Sequence, residues 1–538
     1  MKAQRFNYVK NILVPGFLFS TAVGVVTGAL IFLFKIASSK VIGLSQQIYS
    51  YVRENPTRVG GFLLGAALLG LLASLLLKYA KDCRGGGIPT AIASIRGLVP
   101  LKWLQGIFGL FASAMLTYLG GVPLGNEGPS VQMGTAVGKG ASALFGRKKR
   151  EWERYVMTGG ACAGFSAATG APLTGILFAL EEAHRRFSPM IFTVAAVSVV
   201  SGTATQAFLS DWFGVDTTFF DFVIHDPMPL RYLWVAIVIG GVCGLFAILF
   251  SWLYQVLKHL CTKKLVRIPF VLKIVAIFVA TAALGVLCED FVGSGHDLIE
   301  KIIRGHAVWY LLLSALILRS VLMILSNGEG ITGGVFVPKL AFGAMIAALL
   351  SGGFEMAGWL DGEYTAVCVA VGMASFLAAS SRTPITAIAF AAEALCGVNN
   401  ILPIGVGVVL AYLIVEVSGV TDLTEAMVES KAEAAHAGKT AVIVDAHMTV
   451  RPGSFAEGRE IRDILWPPTC AVLSIDKTNS AAPHDYAGIF AGDVLHLHYQ
   501  TYDPQATRKM LTYILGDQPE DPTARTHLGS DDHVVPFD

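Results

Sequence analysis

The sequence predicts an all-α polytopic membrane protein with a small α/β domain near its C-terminal end. Three observations predict it. The chain has 538 residues, 54% of them hydrophobic and 15% charged, with a mean hydropathy of +0.60, well above the range of soluble domains. Apolar stretches recur that are long enough to cross a bilayer, which takes roughly 20 residues. After Gly419 the hydropathy collapses, and the short runs that follow are rich in β-branched residues.

The apolar stretches fall at about 11–35, 59–79, 104–122, 155–180, 189–209, 232–257, 270–288, 307–326, 332–351, 365–380 and 384–418. Lys2, Arg5 and Lys10 precede the first as they would in a signal peptide, but its apolar run is too long and no small-residue cleavage site follows, so it is expected to be retained. Basic clusters at Met1–Lys10, Arg147–Arg154 and Lys258–Arg267 predict cytoplasmic loops, whereas Asp211–Asp226 carries Asp without Lys or Arg. A multi-pass protein of the plasma membrane with both termini inside is expected. The membrane part should span residues 1–430, followed by a polar, Ala-rich linker over 431–440. In the domain expected over 441–517, Ala441–Val444, Cys470–Ile475 and Asp493–Tyr499 read as strands and Pro504–Leu515 as a helix. The tail, 518–538, is Pro- and Asp-rich and is expected to be disordered.

Composition also excludes. A net charge of +1 argues against a nucleic-acid partner. The eight cysteines are dispersed, without a CxxC pair or a His at ligand spacing, which argues against disulfides and metal, and no cofactor is expected. Neither HExxH nor a nucleophile elbow occurs, and the histidines avoid the membrane motifs, so an enzyme is not expected.

An internal repeat divides the membrane part. Ala171–Glu182 (APLTGILFALEE) matches Thr383–Ala394 (TPITAIAFAAEA) at an offset of 212, with Pro172/Pro384, Thr174/Thr386, Ile176/Ile388 and Glu181/Glu393 in register. Upstream of each copy lies a Gly-Pro motif, GNEGPSVQMG from Gly125 and GGVFVPKLAFG from Gly333. Paired, glycine-interrupted apolar segments in two halves point to a binding site at the membrane midplane.

Three clusters interrupt apolar segments: Gly85-Gly86-Gly87-Ile88-Pro89, Gly125-Asn126-Glu127-Gly128-Pro129, and Gly333-Gly334-Val335-Phe336-Val337-Pro338. Each ends in a proline suited to the first turn of a helix. Broken backbone inside a bilayer is tolerated where protein buries it or a cavity solvates it. Glycines let the main chain approach an ion, and helix N-termini present unpaired N–H groups with a positive dipole end, so converging N-termini form an anion site without a full charge. Such a site binds loosely enough for release. Glu127 stands between two of these glycines: it is either a helix cap or a gate that competes with the anion when ionised and withdraws when protonated. Glu181 and Glu182 read as interfacial partners of His184, Arg185 and Arg186, with an internal proton relay as the alternative for Glu182. Glu393 reads as a structural cap or pair. Lys339 either attracts anions or snorkels to the surface.

These motifs resemble the CLC family of chloride channels and chloride/proton antiporters, over about residues 10–430: GGGIP stands where that family has GSGIP, GNEGP where it has GREGP, and GGVFVP where it has GGIFAP. The resemblance implies inverted-topology halves of broken helices, a homodimer in the lipid bilayer, and a halide, chloride or fluoride, exchanged for protons. It implies an anion site at Gly85, Gly86, Gly87, Ile88, Asn126, Gly128, Val335 and Phe336, with Glu127 as external gate and Glu182 as internal proton glutamate. Three departures stand out. The family's serine is Gly86, its motif arginine is Asn126, and its pore tyrosine falls near Leu423–Glu425, where there is none; Tyr412 is the candidate replacement hydroxyl. Chloride is the first reading. The alternatives are a fluoride/proton antiporter, suggested by Asn126 and the missing hydroxyls, a passive chloride channel, and a cation-coupled carrier. At the C-terminal end, Gly453–Ile464, Cys470–Ile475 and Ala491–His498 resemble the TrkA-C (RCK-C) domain of potassium-uptake regulators, which implies modulation by a cytoplasmic nucleotide in a prokaryotic chain.

Overall fold

The first expected span runs on to form one long helix, α1 (Val14–Glu54), and α2 (Val59–Tyr79) returns beside it. This computed structural model describes residues 14–144, 147–220, 222, 224, 227–264, 266–477, 488–518 and 525–528; the basic run Met1–Lys10 lies outside them. The short α3 (Ile88–Ile95) follows, and a π-type turn at Gln105–Gly109 leads into α4 (Leu110–Leu119). The first half closes with α5 (Glu127–Leu144), α6 (Glu153–Thr169), α7 (Pro172–Phe178) and α8 (Pro189–Phe213). The second comprises α9 (Leu233–His259), α10 (Phe270–Leu287), α11 (His296–Ile303), α12 (Trp309–Gly328), α13 (Phe336–Met356), α14 (Thr365–Ser381), α15 (Pro384–Ala391), α16 (Ile401–Ser418) and α17 (Leu423–His436). Among the described residues, nine helical segments are long and apolar enough to cross a membrane. They turn leucines such as Leu64, Leu68 and Leu249 outward, as a lipid-facing surface requires.

Two expected spans are broken. The stretch 155–180 is cut where Gly170 takes a left-handed φ of 68° to end α6 and Pro172 starts α7. The stretch 384–418 is cut at Gly397, φ 60°. Both short helices continue into a π-type turn, Ala179–Ala183 after α7 and Ala392–Cys396 after α15.

The repeat in the sequence becomes a reciprocal exchange of caps. Glu181, at the end of α7, accepts from the amides of Ile385 (2.9 Å) and Thr386 (2.6 Å) and from the Thr386 hydroxyl, at the start of α15. Glu393, at the end of α15, accepts from the amides of Leu173 (2.7 Å) and Thr174 (2.8 Å) and from the Thr174 hydroxyl, at the start of α7. A carboxylate on first-turn amides satisfies donors that the helix itself leaves open. Glu393 thus has the capping role expected of it, and Glu181 caps α15 instead of pairing with the following bases. Glycines bring the helix pairs of both halves backbone to backbone: a methyl on Gly134 would sit 2.0 Å from the Gly160 carbonyl oxygen, and one on Gly343 2.2 Å from that of Gly372.

The segment read as a linker is helical over its first residues, because α17 runs to His436 and is tied back by Lys431 to the Arg84 carbonyl. Beyond it, β1 (Val442–Thr449), β2 (Ala471–Asp476), β3 (Val494–Thr501) and β4 (Arg525–Leu528) form an antiparallel sheet in the order β2-β3-β1-β4. The helix α18 (Pro504–Leu515) contributes Leu511, Ile514 and Leu515 to a core with Val444, Ala446, Leu495 and Leu497. Strand β4 corrects the expectation of a wholly disordered tail, since Val442–Asp445 offers it a free edge to pair with; the rest of 519–538 lies outside the described residues. The domain docks on the membrane part. The Tyr155 hydroxyl donates to the Asp463 carbonyl and accepts from the Leu465 amide, and Arg154 and Arg186 donate to carbonyls of Ile464, Leu465 and Trp466.

Glu393→Ala strands the Leu173 and Thr174 donors, and a loss of about 1–3 kcal/mol is expected, read as a lower melting temperature in detergent; Glu181→Ala should behave alike. Unchanged melting in both variants would contradict the reciprocal caps.

Candidate functional site

The three interrupted clusters meet. A methyl on Gly128 would lie 2.6 Å from Gly334 Cα and 3.0 Å from Gly87 Cα, so the backbones leading into α3, α5 and α13 touch where only glycine fits. Gly125 and Gly334 exchange two hydrogen bonds (2.8 and 2.7 Å), Gly333 donates to the Gly86 carbonyl (3.2 Å), and Gly85, in a left-handed φ of 55°, donates to that of Gly330 (2.7 Å). Interrupted main chain inside the membrane part is thus satisfied by other interrupted main chain.

What stays open is a set of first-turn amides. In α5, Ser130 donates to the Asn126 carbonyl, while the amides of Glu127 and Gly128 have no partner among the described residues. In α13, Lys339 closes on Val335, leaving the amides of Phe336 and Val337 open. The expected ligands of α3 are largely consumed: besides Gly85, Gly86 donates to Cys83 O (3.1 Å) and Gly87 to Gln132 Oε1 (2.8 Å). Of Gly85, Gly86, Gly87 and Ile88, Ile88 alone has an amide without a partner among the described residues. The cause is Gln132, fully buried, which holds the loop by also donating to Asp82 O. Gly86 leaves room that Leu110 occupies, since a methyl there would stand 2.3 Å from Leu110 Cδ1. Val335 and Phe336 are buried, and the Phe336 ring packs edge-on against Phe165 and Phe390, each at 5.1 Å.

Glu127 opens α5 with no exposed surface, and among the described residues neither carboxylate oxygen has a hydrogen bond. The capping alternative fails here, because a cap would accept from a first-turn amide. The carboxylate folds back over Gly125, where a methyl would sit 2.3 Å from Oε2. Among the described residues the basic side chain within 4.0 Å is His296, at the start of α11, with Nε2 at 3.6 Å from Oε1 and its ring against Phe219 and Phe220. The Tyr118 hydroxyl steadies the loop by donating to the Gly125 carbonyl. Asn126 is partly exposed, with its side-chain oxygen unpartnered.

Glu182 lies in the π-type turn after α7, 7% exposed. The bases after it are engaged elsewhere: His184 with the Thr158 hydroxyl, Arg185 with Asp422 (2.5 Å) and Glu425 (3.2 Å), Arg186 with Ile464 O. The interfacial-pair reading therefore fails, and Glu182 Oε1 accepts instead from Thr424 Oγ1 at 3.3 Å. Thr424, in the first turn of α17, is the hydroxyl-bearing residue among Leu423–Glu425. Tyr412 sits partly buried on α16, and its hydroxyl bonds to none of these groups among the described residues. Lys339 is buried rather than snorkelling, 2% exposed, with Nζ donating to Ser381 Oγ (2.7 Å) and Thr424 Oγ1 (3.3 Å).

Sequence reasoning missed His296, Thr424 and Gln132. His296 follows Gly293-Ser294-Gly295, a glycine-flanked polar break that was a readable signal; the other two are brought in from distant parts of the chain without a local mark.

The family described as voltage gated chloride channel matches residues 65–416. The H(+)/Cl(-) exchange transporter ClcA of Vibrio cholerae is 29% identical over 374 residues, covering 69% of this chain and 78% of that one. That of Yersinia pseudotuberculosis is 28% identical over 416 residues, covering 75% and 84%. Among solved structures, a slow cyanobacterial Cl-/H+ antiporter superposes with a TM-score of 0.71 at 23% identity, covering 78% of this chain and 98% of that one. A CLC-type fluoride/proton antiporter gives 0.62 at 20% identity, covering 75% and 96%. These two likenesses carry the fold. With more than half of its residues matched, the chain belongs to the voltage-gated chloride channel family.

Proposed function

We propose that the protein exchanges chloride for protons across the membrane, with Glu127 as gate and Glu182 as proton relay. The observation that supports this most is Glu127 itself, a fully buried carboxylate without a hydrogen bond at a junction of helix N-termini. The open first-turn amides around it would hold an anion as well as they hold this carboxylate, so the two compete for one position. Ionised, it holds the outer position that an anion would take; protonated, it gives up that position to the anion. The amides of Ile88, Gly128, Phe336 and Val337 hold the halide without a full charge, which permits release. The V. cholerae and Y. pseudotuberculosis relatives are named as H(+)/Cl(-) exchangers, in keeping with this reading.

Gly86 supplies no hydroxyl and Asn126 replaces a base, which favours fluoride as a second reading. The basic clusters favour both termini in the cytoplasm, and in this reading two copies pair through the outward apolar face of α7, α8, α15 and α16, where Leu173, Val200, Ile385 and Val417 are exposed. The C-terminal domain, which resembles TrkA-C, binds a cytoplasmic nucleotide such as a cyclic dinucleotide and acts through its contacts on Tyr155 and Arg186.

Proteoliposomes loaded with chloride or fluoride should take up protons as halide leaves, and Glu127→Gln should abolish proton uptake while halide still moves. Halide flux without proton movement in the wild type would make the protein a channel, and faster fluoride would reverse the choice of ion. For the domain, full-length protein should melt at a higher temperature with a bound cyclic dinucleotide, by mass action; no shift with any candidate nucleotide removes the ligand reading.

A further inference from the structure

The relay end of the path holds a cation that gating by Glu127 and Glu182 leaves unused. Lys339 is buried one turn into α13, and among the described residues no carboxylate oxygen comes within 4.0 Å of its ammonium. Its contacts are two hydroxyls, Ser381 Oγ at the end of α14 and Thr424 Oγ1 at the start of α17. The same Thr424 oxygen stands 3.3 Å from Glu182 Oε1, so one hydroxyl links the ammonium to the carboxylate.

The other charges facing this cluster cancel among themselves. From α17, Asp422 is held by Arg185, and Glu425 by both Arg185 and Arg96 (2.9 Å). Arg382, next to Ser381, is turned away to Glu416 and the Val420 carbonyl. His184 is engaged with Thr158, and Lys431, further along α17, with the Arg84 carbonyl. What remains is one ammonium against one carboxylate. While Glu182 is ionised the cluster is neutral; once Glu182 takes a proton, Lys339 is a buried positive charge without compensation, which is strongly disfavoured.

We propose that Lys339, with the hydroxyls of Ser381 and Thr424, binds one monovalent anion when Glu182 is protonated and releases it when Glu182 ionises. The site rests on the reading of Glu182 as proton carrier and adds the link between its proton and the halide. No covalent bond changes. The proton adds to a Glu182 carboxylate oxygen, which then donates to Thr424 Oγ1, and the Thr424 hydrogen, released from Glu182, turns to the anion. When the proton leaves, Glu182 recovers the Thr424 hydrogen, neutralises Lys339 and displaces the anion. At this inner site the Glu182 proton and one halide are thereby tied together, and the fixed ammonium takes the place of hydroxyl donors missing at Gly86 and from a pore tyrosine.

Halide titration by calorimetry on the full chain in detergent tests this, in a Glu127→Gln background so that the outer gate does not titrate. Near neutral pH, adding Glu182→Gln should tighten binding at the inner site by about tenfold or more, a usual range for coupled sites, and make it independent of pH. Lys339→Met, which nearly preserves side-chain length, should remove that inner equivalent and leave the one at the α5–α13 junction, whose survival shows that the protein is folded. If Lys339→Met leaves both equivalents intact, or Glu182→Gln leaves the inner affinity unchanged, the inference falls while the gate at Glu127 stands. If the Glu127→Gln parent binds no halide at all, the exchange reading falls with it.

Discussion

The structure depends on one constraint: main chain that is not helical must still have its polar groups satisfied away from water. The chain meets it by bringing three interruptions to one place, where Gly87, Gly128 and Gly334 allow contact that any side chain would prevent. The hydrogen bonds between Gly125 and Gly334, and from Gly85 and Gly333 to neighbouring carbonyls, satisfy much of the broken backbone. The groups that cannot be satisfied this way are the first-turn amides, and their positive ends then face the same volume. Under the proposed function that volume is the anion site, and it arises from the way the interruptions are buried. The Glu127 carboxylate, folded back over Gly125, is then the group that competes for it.

The two halves are joined by a matched pair of carboxylates. Glu181 and Glu393 each cap the short helix of the other half, so α7 and α15 cannot shift independently. The π-type turns that follow these helices wind the chain by one extra residue, and in the first half this turns Glu182 inward while Glu181 reaches across. Neighbouring glutamates thus face different surroundings, one holding the fold and the other lying beside Thr424. There α17 supplies Thr424 to Glu182 and Asp422 and Glu425 to the arginines, and the C-terminal domain grips the same region through Tyr155 and Arg186.

Much of this was legible in the sequence. The membrane class followed from hydropathy, the repeat from Pro172/Pro384 and Glu181/Glu393, and the meeting of helix starts from three Gly-Pro clusters. The C-terminal strands and α18 fall within a few residues of where β-branched runs and helical spacing put them. What was not legible depends on approach in space. That Gly85, Gly86 and Gly87 spend their amides on protein follows from Gln132, 45 residues beyond Gly87. That Thr424 bonds Glu182 follows from the packing of α17 against α3 and α14, which brings together residues 242 apart. His296 was passed over because Gly293-Ser294-Gly295 is not followed by a proline as the other three clusters are, and β4 because its pairing partner, β1, is distant in sequence.

The central claim is that Glu127 and the transported anion compete for one volume at the α5–α13 junction. Anomalous diffraction from bromide-soaked crystals of the wild type and of Glu127→Gln tests it most directly. The account predicts an additional bromide peak in the variant at the position of the wild-type carboxylate, beside the amides that open α5 and α13. Identical bromide positions in both crystals, with the Glu127 carboxylate still in place beside a bound ion, would contradict it.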